Sequence, residues 1–373
     1  MKKLLFLIVL FWSAGMGILQ AESLTQEEIL SESGADELYD MLPEDTQALL
    51  SEKGIDGVDA DTLLAFSFSD LLGMVWDGVT GAAGAPVKLF AAGAGLALLC
   101  SLTSQIGGTL REDSFSGLFH AASVLCASVV IFPIVTELFQ SVSGALESAG
   151  GFIMAFVPVY SAVLAASGQP ASAALSETAL LAAAQIVSVV SSSVLIPLLT
   201  VYLALCMVGA VCPDLRMDGV AGAAKGIVTV TAGFLMTVFV GLLSLKGSLA
   251  GAADSVAMRT AKFAASAVFP VVGGAVSDAL SSVQGSMSLL RSSVGSFASI
   301  ALIVLLLPPV LSMLLTQAAM SAAAAVARIL NADKVAALYQ SAASAVSLLC
   351  GLTAVSGILI VISLGILIRA AGG

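Results

Sequence analysis

Residues Phe297 to Met320 read FASIALIVLLLPPVLSMLLTQAAM, twenty-four positions without an Asp, Glu, Lys, Arg or His. A helix crosses a hydrocarbon core of about 30 Å in ~20 mostly apolar residues, so this run is long enough to span a bilayer. Comparable runs recur at Leu89–Ile106, Phe115–Leu138, Gly226–Leu245 and Val346–Ile368. The whole 373-residue chain is 58% hydrophobic and only 10% charged, against about 25% charged in a soluble domain, and its mean hydropathy is +1.05. So few charges cannot cover a water-facing surface. Abundant small residues and only 6% aromatics suit helices packed closely in lipid. The expected fold class is all-α, a multispanning integral membrane helical protein.

Two further apolar stretches are harder to segment. Thr178–Val211 holds 34 residues without a charge, about 51 Å of helix, too long for one upright span and short for two. Pro197 near its middle leaves a kinked helix and a tight hairpin both open. Phe152–Ala166 is short and contains Pro158, which predicts a re-entrant or interfacial piece. Lys and Arg in short loops set orientation. Depending on whether 178–211 crosses once or twice, Arg216, Lys225, Arg328 and Lys334 exchange sides with Lys246, Arg259, Lys262 and Arg291, and both topologies stay open.

The amino end is different. Lys2–Lys3, an apolar run from Leu4 to Trp12 and small residues up to Ala21 give the order of a secretory signal peptide, residues 1–21; an uncleaved anchor is the alternative. Between Glu22 and Asp70 stand 14 acidic residues and one basic, Lys53, whereas the remainder from Leu71 onward is neutral. Residues 22–85 are therefore expected to form an acidic extracytoplasmic helical segment. Ser23 and Thr25 before Glu27–Glu28, intermittent leucines, a break at Pro43 and turns at Gly54 and Gly57 mark its short helices. It is either a docking surface or a solvated spacer. Residues 86–245 form the first membrane helical region.

Residues 246–296, beginning KGSLAGAADSVAMRTAKF, are more mixed than their flanks. Val276, Leu280, Val283, Met287, Leu290 and Val294 recur at steps of four and three, the stripe of one helix face. Asp278, Ser281, Ser282, Gly285 and Ser292 take the opposite face, with Arg291 on or beside it. Pro270 and Gly273–Gly274 separate this helix from a mixed one over Asp254–Ser266, giving an amphipathic helical hairpin before the C-terminal membrane region, 297–373. Such a hairpin either lies in the interface plane or turns its Ser-rich face to a water-filled path. Asp278, Ser281, Ser282, Gly285, Arg291 and Ser292 are the candidate functional residues.

KGSLAGAADSVAMRTAKF and FPVVGGAVSDALSSVQGSMSLLRSSVG, together with PVYSAVLAASGQPASAA at Pro158–Ala174, closely resemble the stage III sporulation protein AE family. The resemblance implies a non-enzymatic subunit of a secretion-like sporulation channel, in the mother-cell membrane around the engulfed forespore. It would act with the other subunits of that complex and, through them, with a forespore membrane partner. The family carries no established catalytic or ligand residues. A stand-alone permease-like transporter of small solutes and a membrane scaffold recruiting the other subunits are the alternatives.

Other chemistry is thinly represented. Five cysteines form no CxxC pair, a single histidine, His120, excludes motifs needing paired histidines, and Lys225 and Lys246 lack a Walker A context. No cofactor, metal or nucleic-acid partner is expected; the partners are proteins and the bilayer. A hydrolase dyad of Ser167 and His120 would need the two side chains within hydrogen-bond reach. Small residues four apart, Ala91 and Gly95 or Ala343, Ser347 and Gly351, allow close helix approach.

Overall fold

The computed structural model describes residues 33–109, 113–167, 196–211, 219–231 and 273–370, with isolated positions between 169 and 256. Among these all regular structure is helical. Residues 1–21, the expected signal peptide, and nearly all of the first hairpin arm, 246–272, lie outside the described residues, as does half of Gly226–Leu245.

The acidic segment begins with a 3-10 turn, Asp36–Leu38, followed by α1 (Glu44–Ser51), α2 (Ala60–Ala65) and α3 (Phe68–Ala82). Pro43 stands immediately before α1, where its missing N–H costs nothing. Gly54, at φ +76°, ends α1: its N–H reaches the Ser51 carbonyl and that of Ile55 reaches Leu50, a Schellman turn that needs a residue tolerant of the left-handed region. Asp59 caps α2 by accepting from the Thr62 amide at 3.1 Å. Asp70 accepts from both the amide (2.8 Å) and the hydroxyl (2.7 Å) of Ser67 at the head of α3.

Four longer helices are apolar enough to cross a membrane: Gly84–Leu102, Ala121–Ala166, Ser288–Ile329 and Asp333–Ile358. They belong to α4 (Gly84–Thr109), α5 (Asp113–Ala166), α8 (Gly273–Ile329) and α9 (Asp333–Ala370). Between them lie α6 (Ile196–Val211) and α7 (Gly219–Thr231). The α8–α9 hairpin is the heart of the packing; α4 and α5 lean on α8, and α6 on α9 and α5. Its turn is a second Schellman arrangement around Asn331, at φ 58°, with the Ala332 amide on the Ala327 carbonyl.

Two boundaries differ from expectation. Phe152–Ala166 is no separate re-entrant piece but the end of α5, which runs unbroken for 54 residues with Pro133 and Pro158 inside it. Glu147 and Gly150–Gly151 interrupt the apolar run there without interrupting the helix. Likewise α8 continues for 57 residues through Gly295 and Ser296, where the composition changes and the backbone does not. Pro197 lies at the described start of α6, and residues 182–193 before it, where a kink or a hairpin was left open, lie outside the described residues.

The acidic segment is no loose spacer either. Ala35, Leu38, Leu50 and Ile55 are buried, and α1, α2 and α3 all pack on α8, while Asp36, Glu37, Asp40, Glu44, Asp45, Glu52 and Asp56 face outward. Thr46 and Leu49 of α1, Ser141 and Ser148 of α5 and Pro308 and Ser312 of α8 line a cleft of about 250 Å³ between this collar and the long helices.

Candidate functional site

The carboxyl end of α5 and the first half of α8 run antiparallel, as two contacts show. Phe152 meets Phe297 at a ring-centroid distance of 6.5 Å, and beyond the end of α5 the side chain of Gln169 meets Arg291. Along α5 the aromatic residues Phe152, Phe156 and Tyr160 stack at four-residue steps, 6.2 and 5.2 Å between centroids, because side chains four apart share a helix face. Tyr160 ends this ladder beside the guanidinium: it is fully buried, and the Arg291 charge acts on its hydroxyl.

Arg291 is 5% exposed. Its Nη1 donates to Gln169 Oε1 at 3.0 Å and its Nη2 to Ser288 Oγ at 3.2 Å. Its Nε, and the Tyr160 Oη, are buried without a hydrogen-bond partner. Gln169 is held on a tight turn past the end of α5: its amide bonds the Leu164 carbonyl and its own carbonyl accepts from Ala173, while Ser161 donates to the Ala173 carbonyl at 3.4 Å. The junction therefore joins two of the stretches that carry the family resemblance, Pro158–Ala174 and Lys246–Gly295.

The amphipathic stripe explains this placement. At ~100° per residue, Arg291 falls about 60° from the centre of the Val276–Val294 stripe, whereas Asp278, Ser281, Ser282, Gly285 and Ser292 fall about 140–240° from it. Leu290 and Val294 are buried and Ser292 is exposed. Arg291 thus belongs with the buried edge of the stripe, not with the polar face. Asp278, Ser281, Ser282 and Gly285 lie in α8, but their side chains are outside the described residues.

Ser167 and His120 do not form a dyad. Both ends of α5 are fixed by one continuous helix, so the 46 residues from His120 to Ala166 separate them by about 70 Å. The Ser167 hydroxyl is 7% exposed and donates to the Val163 carbonyl of its own helix at 2.6 Å. Tyr160 and Gln169 are the residues that sequence reasoning missed; the four-residue aromatic spacing was the available signal for the first.

A second close contact lies in the other half of the bundle. Gly93 of α4 faces Tyr339 of α9 and Ala323 of α8 so closely that a Cβ there would sit 3.1 Å from the Tyr339 Oη and 2.9 Å from the Ala323 Cβ. The Tyr339 Oη is buried without a partner.

Long apolar helices that, among the described residues, enclose one cation define a helical membrane protein with a polar junction between helices. The family model described as "Stage III sporulation protein AE" matches residues 60–371, and the chain belongs to that family. It is similar to "Stage III sporulation protein AE" of Bacillus subtilis (strain 168), 22% identical over 200 residues, which cover 54% of this chain and 50% of the relative. The match thus spans about half the length of that curated relative. No solved structure matches.

Proposed function

We propose that this protein is a non-enzymatic membrane subunit of the sporulation channel complex linking mother cell and forespore. It resides in the mother-cell membrane around the engulfed forespore and is needed for forespore development. It assembles with the other subunits of the complex and, through them, with a forespore membrane partner. Family membership over residues 60–371, combined with four helices long and apolar enough to cross a membrane, is the observation that supports this reading. The amphipathic first part of α8, with Asp278, Ser281, Ser282, Gly285 and Ser292 on its polar face, is its working surface.

The test is purification of the tagged, full-length protein from sporulating cells, followed by cysteine scanning of Val276–Val294 with a membrane-impermeant thiol reagent. Co-purification of other membrane proteins, with labelling at Ser281, Gly285 and Ser292 but not at Leu280 or Met287, is the expected result. Uniform protection in an intact complex points to a scaffold. Solute uptake by the protein alone in vesicles, without co-purifying partners, points to a permease and overturns the proposal.

A further inference from the structure

The short helix α3 has three distinct faces. Met74 is buried, and Gly78 lies so close to α8 that a Cβ there would stand 2.6 Å from the Leu311 Cδ1; this face seats the helix. Asp70 and Asp77, two turns apart, share a second face. Asp77 is exposed, and its carboxylate stands 3.9 Å from the Lys53 ammonium. Leu72 and Trp76, four apart, form the third face, about 120–140° around the helix from the carboxylates at ~100° per residue. They are 53% and 70% exposed. An open tryptophan and two carboxylates on one helix are the composition of a segment that lies between oil and water, and tryptophan is enriched at that boundary.

The position of α3 along the bundle agrees. Ala83 alone separates it from α4, so its outer face stays beside the span that follows. The candidate span of α4 runs from Gly84 to Leu102, and its middle residue, Gly93, meets Ala323 of α8. From Ala323 back to Leu311 is 12 residues, about 18 Å of helix. Half of the hydrocarbon core is about 15 Å, and half of the bilayer with its headgroups is about 20–22 Å. Gly78, against Leu311, therefore falls in the headgroup layer, and Trp76 two residues away falls with it. In the other direction α8 ends at Ile329, and exposed Arg328, Asp333 and Lys334 cluster at the α8–α9 turn, as the opposite edge of the same slab requires. Between the two edges Leu98, Leu102 and Leu314 turn outward.

We infer that α3 is a membrane-surface helix. Leu72 and Trp76 rest on the lipid, Asp70 and Asp77 face water, and the hydrocarbon encloses α8 from about Leu311 to its turn with α9. The occupant of the exposed face is phospholipid at the boundary of headgroup and acyl chain, and the helix fixes the level at which the bundle sits.

The chain has two tryptophans, Trp12 and Trp76, so Trp12→Phe leaves Trp76 as the sole indole of the full-length protein. This variant is placed in phosphatidylcholine vesicles whose acyl chains carry bromine either near the carbonyl end or near the methyl end, with iodide on both sides as the aqueous quencher. Bromine near the carbonyl end is expected to quench Trp76 roughly twofold or more better than bromine near the methyl end, as a depth at the headgroup boundary requires, and iodide is expected to act weakly. A second protein, with Trp12→Phe, Trp76→Phe and Asp77→Trp, moves the reporter to the carboxylate face. The exposed ion pair that it removes contributes little to stability, and its indole is expected to respond to iodide and hardly to bromine. Iodide quenching of Trp76 without bromine quenching overturns the inference, as does protection from both, which places a polypeptide over the face. Strongest quenching by methyl-end bromine, or the same response at positions 76 and 77, overturns it too. The inference rests on membrane residence alone, so its failure leaves the co-purification test of the channel reading untouched.

Discussion

At the scale of single residues, two positions carry constraints that substitution can measure. Asn331 holds a left-handed backbone at the α8–α9 turn, where residues other than glycine lose about 1–2 kcal/mol. Asn331→Gly is therefore expected to raise the detergent melting temperature slightly. Asn331→Val, whose branched side chain resists that conformation, is expected to lower stability by about 1–2 kcal/mol; the two melts side by side check the sign. Gly93 is constrained by space instead. Gly93→Ala drives a methyl against Ala323 and Tyr339, and overpacking of this kind costs about 1–3 kcal/mol. The double variant Gly93→Ala with Ala323→Gly returns the volume to the facing helix and is expected to recover much of that loss. Failure of the double variant to recover would show that the Tyr339 ring, not Ala323, sets the limit. Neither constraint is visible in sequence, because a chain so rich in Gly and Ala offers dozens of equivalent small-residue steps.

At the scale of elements, the sequence announces apolar segments well and their joints poorly. Four of the five apolar runs fall in α4, α5, α8 and α9 and overlap their candidate spans, since length and hydropathy are properties of the run itself. The continuity of α5 through Glu147 and of α8 through Gly295 escaped detection, because a polar residue or a glycine changes the environment a helix prefers without forcing the backbone out of it. The candidate site was partly legible for the same kind of reason. The stripe from Val276 to Val294 marked the right helix, and its own geometry put Arg291 near the buried edge, but the partner Gln169 lies 122 residues away and no local pattern links them. Of the caps, the one read from sequence, Ser23 and Thr25 before Glu27–Glu28, lies outside the described residues, and the pair Ser67 and Asp70 is one that sequence reasoning missed. The Ser67–Asp70 pair heads α3, and the Ser67 hydroxyl, then its amide, hold the Asp70 carboxyl below its ordinary value. A group with a depressed folded value lends stability above its unfolded pKa and loses it as pH falls through the folded one. The α3 cap should therefore loosen only in acid, below about pH 4, and Asp70→Asn should flatten that acid limb. Amide hydrogen exchange at the start of α3, followed with pH, reads this directly; an unchanged profile in Asp70→Asn would remove Asp70 from the account.

At the scale of the whole molecule, α5 and α8 are each more than 80 Å long at ~1.5 Å per residue, against a hydrocarbon slab of about 30 Å. The collar of α1–α3 clasps them at mid-length, at Ser141–Ser148 and Pro308–Ser312, and Glu137, Gln140 and Glu147 face outward at about the same level of α5. Pro308 and Pro309 lack amide hydrogens, so the Val304 and Leu305 carbonyls have no helical donor there. Cysteines at Ser141 and Ser148, beside Glu137 and Glu147 on α5, are expected to react with an impermeant thiol reagent from the face that bears the acidic segment; protection of both would contradict that placement. The consequence concerns how deep the molecule floats. Carboxylates are costly in oil, and each rod is more than twice as long as the slab is thick, so part of α5 and of α8 stands outside the lipid wherever the bilayer settles along them.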